Sequence, residues 1–345
     1  MELTCTKKLL EYLGVKAEKM PDAVNPLFEW TANLLTINRR KTLVVVHAPS
    51  RCGFVLHGLR ARDLPKLPEL ILDGVRGLLE SEFIRPDIIE RYLDDLGRVL
   101  TLQANSSRKA VARCNKVCER LQLASEQLDP EQLLQKDLLP WLNYEVLLDS
   151  SYTFAYEALL GALQKRYGQP ITACRALELE VELLLHTPCK RRIIVPEKLN
   201  FDHLHFILQD CFAWENDHLH QFILRTDARG IPTERLVPAW DELDGLADEQ
   251  VRYTKDVTLG EVFASSESIL YEYDFGDGWE HTIRLCRVIE NCTEPYARCI
   301  MAVGDAPMED CGGPDGYAHI MEVLQDENHP EYHEISMWVG GPWPH

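Results

Sequence analysis

Along most of the chain the apolar residues fall into short blocks, and the spacing inside each block predicts its element. Asn33–Asn38, Thr42–His47 and Gly53–Gly58 are strand-length apolar runs separated by Arg39-Arg40-Lys41 and by Ala48-Pro49-Ser50-Arg51-Cys52, which is a meander pattern. Thr6–Leu13 predicts a short helix that Gly14 stops. Leu70, Ile71, Val75, Leu78 and Leu79 share one face of a helix over Pro68–Glu82, and Pro86 opens another through Leu93. Val111, Cys114, Cys118 and Leu121 form the stripe of a third, Ser107–Leu121. Free cysteine is among the most buried residue types, so Cys114 and Cys118 read as small core residues rather than metal ligands. Asp129-Pro130-Glu131-Gln132 has the N-cap and first-turn chemistry of a helix start. It predicts a helical pair, Leu133–Leu142 and Tyr152–Tyr167, broken at Asp149-Ser150-Ser151.

The second half changes period. Ala176–Leu185 alternates Leu with Glu and predicts a strand with one buried face; Ile193–Pro196 follows as another. Asn200 caps a helix over Phe201–Phe212, with Leu204, Ile207, Leu208 and Cys211 on its stripe. His218–Leu224 predicts a strand, and the polar stretch from there to Lys255 predicts a loop or lid. Val257–Phe263 predicts a short helix. Then Tyr271 to His281 reads as two strands about a tight turn, Phe275-Gly276-Asp277-Gly278, where glycine supplies positive φ. Alternation puts Tyr271, Tyr273 and Phe275 on one face of the first strand, and Trp279, His281 and Ile283 on one face of the second. A helix over Tyr317–Leu324 follows a glycine-rich turn.

These elements, in a chain of 345 residues with 46% hydrophobic and 8% aromatic content, predict a globular α+β protein. The charge divides it. Residues 1–125 hold 20 Lys+Arg and 15 Asp+Glu, a balance of +5; residues 126–345 hold 16 and 40, a balance of −24. The expected organisation is two α+β domains with mainly antiparallel sheets, 1–125 and 173–345, joined by a helical connector over 126–172. An acidic body repels phosphates, so a nucleic-acid contact belongs on the first domain and a basic protein partner on the last. Eleven cysteines never fall as Cys-x-x-Cys, and no export signal opens the chain; reduced thiols and a cytoplasmic location are expected. No apolar run reaches membrane-spanning length.

Four pieces of the last domain occur in family order: Lys190-Arg-Arg-Ile-Ile-Val-Pro196; Leu204-His205 with Trp214 and His218-Leu-His220; Tyr273-Asp-Phe-Gly-Asp-Gly-Trp-Glu-His281; and Glu309-Asp-Cys-Gly-Gly-Pro-Asp-Gly-Tyr317. This half of the chain resembles the plasmid pRiA4b ORF-three-like family, known also from passenger proteins of insertion elements. Lys190, Ala213 and Met308 depart from the family's usual Trp, Gly and Pro. The first block resembles an uncharacterised bacterial domain sometimes fused to such modules. The resemblance implies an α+β fold and an association with mobile DNA, and it carries no reaction.

The candidate chemistry rests on residue type. His218 and His220, at i,i+2 on a strand, reach one ion, and Asp274, Asp277 and His281 gather at the hairpin end, with Glu309 and Asp310 before a glycine turn. Such a His/carboxylate set suits Zn²⁺, Mn²⁺ or Fe²⁺ and a metal-dependent hydrolase, a nuclease included. The competing reading is a structural network in which the histidines are hydrogen-bonded in a sheet and the aspartates accept turn N–H groups. Arg39, Arg40 and Lys41 form the local basic cluster, placed at a hairpin tip where cations reach phosphates or simply keep the tip soluble. Glu309, Asp310 and Asp315 repel a bare phosphate from the turn before Tyr317, and no phosphate-loop, dinucleotide or serine-nucleophile fingerprint is present. Three function classes stay open: a binding or accessory protein, a metal-dependent hydrolase, and an acidic adaptor.

Overall fold

The computed structural model describes every residue except 17–24, 105–106, 145–146, 148–153, 169, 227, 239–249 and 340–345. The chain divides into two compact units, Met1–Ala173 and Cys174–His345. Each is α+β.

The first unit runs β1 (Glu2–Cys5), α1 (Lys7–Leu13), β2 (Trp30–Ile37), β3 (Arg40–His47), β4 (Gly53–Leu59), α2 (Leu67–Ser81), α3 (Pro86–Leu96), β5 (Thr101–Ala104), α4 (Arg108–Leu123), α5 (Leu139–Asn143) and α6 (Ala155–Tyr167). Its sheet has the order β4-β3-β2-β1-β5, antiparallel in the meander and parallel where β1 meets β2 and β5. Leu43-Val44-Val45-Val46 is a continuous apolar run because helices cover both faces. Leu43 and Val45 join α2, α3 and α6 in one core, while Val44 and Val46 join Cys114, Val117, Cys118 and Leu121 of α4 in the other. Helix α2 lies so close to β4 that a Cβ on Gly74 would stand 2.1 Å from the Phe54 ring.

The second unit runs β6 (Cys174–Leu183), β7 (Cys189–Pro196), α7 (Phe201–Phe212), β8 (His220–Thr226), β9 (Pro232–Val237), β10 (Gln250–Tyr253), α8 (Leu259–Phe263), β11 (Ser268–Tyr273), β12 (Trp279–Cys292), β13 (Arg298–Val303), α9 (Gly313–Leu324) and α10 (Tyr332–Trp338). The strand order is β10-β9-β8-β11-β12-β6-β7-β13, antiparallel throughout except at β9 and β10. One face carries the core: Leu179, Val181, Ile193, Phe222, Tyr271, Trp279 and Ile283 pack on Leu204, Leu208 and Phe212 of α7 and on residues of α8 and α9. The other face is charged. Arg192 pairs with Glu180 at 3.0 Å and Arg287 with Glu178 at 2.6 Å, which accounts for the Leu/Glu alternation of β6.

Residues 126–172 do not stand as a separate connector. Leu139, Leu159 and Leu163 are fully enclosed in the first unit's core. The helix expected over Leu133–Leu142 is only α5. Before it, Leu133 O accepts from His57 N at 2.7 Å and Gln135 N donates to Val55 O at 3.0 Å, so the segment pairs along β4 instead. Asp129 Oδ1 accepts from Glu131 N at 2.8 Å, a local turn in place of a cap. The polar stretch read as a loop contains β9 and β10; its remaining part, 239–249, lies outside the described residues.

This packing has a direct test. A fragment of residues 1–125 lacks α5 and α6 and should show no cooperative thermal transition, whereas 1–173 and 174–345 should each unfold cooperatively. Cooperative unfolding of 1–125 would contradict the assignment of 126–173 to that core.

Candidate functional site

The site forms where three chain segments meet at the β11–β12 turn. Asp274 leaves β11 in a left-handed conformation, φ 54°, which aspartate tolerates better than most residues. Its backbone N donates to Leu219 O at 2.9 Å, which ties the hairpin to the segment before β8. Its Oδ1 accepts from Gly276 N at 2.9 Å and Asp277 N at 3.3 Å. The other oxygen, Oδ2, faces His218 Nδ1 at 3.6 Å. On the opposite side of that imidazole, Asp310 Oδ1 stands 3.3 Å from His218 Nε2, again from a left-handed residue, φ 57°. One donor atom from each of His218, Asp274 and Asp310 lies within 4.8 Å of the others.

The neighbouring acids hold this arrangement rather than join it. Glu309 Oε1 accepts from Tyr273 Oη at 2.5 Å and its Oε2 accepts from Glu215 N at 2.7 Å, so the loop carrying Asp310 is fastened to both other segments. Asp277 Oδ2 accepts from Gly312 N at 3.2 Å. Gly313, φ 71°, passes so near that a Cβ there would meet Asp277 O at 2.3 Å.

His220 and His281 stand apart from the cluster. His218 precedes β8, so the expected i,i+2 pair on one strand face does not exist. His220 is enclosed and stacks on His205, ring centroids 3.5 Å apart. Burial, with His205 adding to it, pushes its pKa down to about 3. His281 is fully enclosed against Phe212, Trp214 and Tyr271, and burial pushes its pKa down to about 3. Both are neutral imidazoles at neutral pH.

Beneath the cluster lies a polar ring that the spacing of residues did not reveal. Tyr271 Oη donates to His205 Nδ1 at 2.8 Å and accepts from Gln209 Nε2 at 3.2 Å. His205 Nε2 donates to Asn216 Oδ1 at 2.5 Å, and Asn216 N returns to Gln209 Oε1 at 2.9 Å. The ring holds together with a neutral His205, whose pKa burial lowers. Two polar residues, His205 and Gln209, on the buried side of α7 were the available signal.

In the first unit, Asn38 and Arg39 form the β2–β3 turn with φ of 50° and 63°. Arg40 donates to Pro130 O, and Lys41 Nζ reaches Thr36 Oγ1 at 3.3 Å and lies over the Tyr12 ring. Of the three cations, Arg39 is the exposed one.

The comparisons with known proteins follow the same division. The family described as plasmid pRiA4b ORF-3-like protein matches residues 175–345. An uncharacterized protein of Sinorhizobium fredii, y4hQ, is 33% identical over 152 residues, 44% of this chain and 73% of that protein. The chain belongs to the pRiA4b ORF-3-like family. A crystal structure of a protein of unknown function from Methanosarcina mazei Go1 is 29% identical and has a TM-score of 0.43; it covers 49% of this chain and 91% of that one. A domain of unknown function, DUF6933, matches residues 2–158 and so runs past residue 125 into α6. No helix among the described residues is long and apolar enough to cross a membrane.

The buried histidines of the pRiA4b ORF-3-like unit set an acid limit. The folded state keeps His220 and His281 neutral down to about 3 while the unfolded chain protonates them near the ordinary imidazole value, ~6.5. Their contribution is therefore complete above that pH and falls as pH drops, by ~1.4 kcal/mol per pH unit for each ring. Denaturant titrations of residues 174–345 between pH 6 and 4 should show this slope. His281→Phe should reduce it by about one ring's share; an unchanged slope would contradict a neutral His281.

Proposed function

We propose that the pRiA4b ORF-3-like unit is a divalent-cation-binding module whose ion is held by His218, Asp274 and Asp310. The supporting observation is the convergence of three donor atoms within 4.8 Å from three separate segments. Two of these residues sit on left-handed backbone, a local cost that tends to collect where side-chain placement matters. An ion would take one ring nitrogen of His218 and one oxygen from each carboxylate. That donor set suits Zn²⁺, Mn²⁺ or Fe²⁺. Three protein ligands leave positions for water, and a metal-bound water loses its proton more readily than bulk water. Hydrolysis is thus the reaction class that the site would serve. Asp310, three-quarters exposed, would face the substrate side.

The plasmid origin in the family's name supports an accessory role beside mobile DNA, without giving the site a substrate. A second reading, an adaptor for a basic protein, draws on charge. Residues 174–345 hold 13 Lys+Arg against 33 Asp+Glu, and residues 299–345 hold no Lys or Arg at all. Phosphate contacts would then fall to the first unit, through Arg39 at its hairpin tip.

The cation reading is tested on the full chain, stripped with chelator and titrated calorimetrically with Zn²⁺ and Mn²⁺. Wild type should bind one ion. Asp310→Asn, which removes charge from an exposed side chain, should weaken binding at least about tenfold with little change in unfolding midpoint. Asp277→Asn should leave the affinity near wild type, because that carboxylate serves Gly312 N. Equal affinity in wild type and Asp310→Asn, or no binding of either ion, would end the proposal.

A further inference from the structure

Cysteine placement points to a chemistry separate from the cation site. Cys174 opens β6 and Cys292 closes β12, and the two are direct partners in the antiparallel ladder. Directly opposed residues in such a ladder have Cα atoms about 4.5–5.5 Å apart. That lies inside the about 4.4–6.8 Å window that a disulfide requires. Both are free thiols, and both belong to one small cluster with Ala176, Ile194 and Ile289. Cys174 is half-buried and open to a small reagent, whereas Cys292 is enclosed behind it. The ladder shifts register between Ile289 and Cys292, which gives the end of β12 freedom to adjust its Cβ direction.

We propose that Cys174 and Cys292 are a reversible thiol–disulfide pair that staples the end of β12 to the start of β6. Oxidised glutathione is a sufficient oxidant. The Cys174 thiolate attacks one glutathione sulfur and releases the other glutathione as thiolate. The Cys292 thiolate then attacks the Cys174 sulfur of this mixed disulfide and releases the second glutathione. Each cysteine gives up one proton and each glutathione takes one, so one glutathione disulfide is reduced for each protein disulfide formed. A bridge across directly opposed strands departs from relaxed disulfide geometry, and strained bridges are the readily reduced ones. Reversibility follows.

Cys174 reacts slowly at neutral pH. Burial, and the neighbouring Cys292 thiol, push its pKa up to about 11, so the thiolate fraction grows with pH across the neutral range. A second close pair, Cys211 on α7 and Cys299 on β13, lacks a shared ladder to hold its separation.

The test equilibrates the full-length chain with glutathione buffers from fully reduced to fully oxidised, then alkylates the free thiols and maps the peptides by mass spectrometry. The expected product is a Cys174–Cys292 cross-linked peptide, lost again when reduced glutathione is restored, and formed about tenfold faster per pH unit while the thiolate limits the rate. The unfolding midpoint should rise on oxidation in wild type and stay constant in Cys174→Ser. Cys292→Ser should instead hold a stable glutathione adduct at Cys174. Should Cys292→Ser fail to fold, the wild-type map decides alone. Free Cys174 and Cys292 in the oxidised buffer, a persistent adduct at wild-type Cys174, or a cross-link confined to Cys211 and Cys299 would each overturn the proposal.

Discussion

A buried tyrosine hydroxyl cannot be left without partners, and in the second unit two of them organise everything above the sheet. Tyr271 and Tyr273 alternate on the inner face of β11. The first hydroxyl closes the ring through His205, Gln209 and Asn216, and so fixes the segment that carries His218. The second donates to Glu309 and so fixes the loop that carries Asp310. Asp274 follows Tyr273 directly and needs no separate anchor beyond the turn it caps. Three segments distant in sequence are thus referred to one strand. Trp214, which donates from Nε1 to Pro307 O at 2.9 Å and stacks on Tyr273, ties the two loops together a second time. Removing one hydroxyl would take away the side-chain bond that refers its loop to β11 and leave the remaining ties to hold it.

The same logic explains why so many histidines and acids near the hairpin stand outside the cluster. A side chain that already satisfies a buried or turn group has its lone pairs committed. Asp277 serves Gly312 N, Glu309 serves a tyrosine and a backbone amide, and His205 serves Tyr271 and Asn216. Asp274 Oδ2 and Asp310 Oδ1 instead flank His218.

Much of the architecture was legible because burial leaves periodic traces. The meander, the amphipathic helices, the Asn200-capped helix and the hairpin about Phe275-Gly276-Asp277-Gly278 all follow from spacing and turn chemistry. Illegible were elements whose stability is entirely tertiary. β1 is four residues long and owes its existence to two parallel neighbours. The stretch after Asp129 has a good helix-start composition, yet the open edge of β4 offers backbone partners that a helix would forgo. Of the metal candidates, the structure brings His218, Asp274 and Asp310 together, one donor atom of each within 4.8 Å of the others. The alternation rule placed His218 on a strand that starts two residues later, and it could not separate outward donors from the enclosed rings of His220 and His281.

Charge adds the last constraint on the cluster. Asp274 and Asp310 face each other across one imidazole in a unit whose own balance is −20. No Lys or Arg follows Arg298 in the sequence, and Arg192 and Arg287 of the outer sheet face pair with Glu180 and Glu178. Two carboxylates held close by hydrogen bonds made elsewhere in the chain repel one another. The proposed divalent cation would relieve this repulsion, because it brings two positive charges and could bond to both oxygens and a ring nitrogen at once. A scaffold built to keep these three donors together, in a field that already favours cations, lowers the reorganisation needed to bind one.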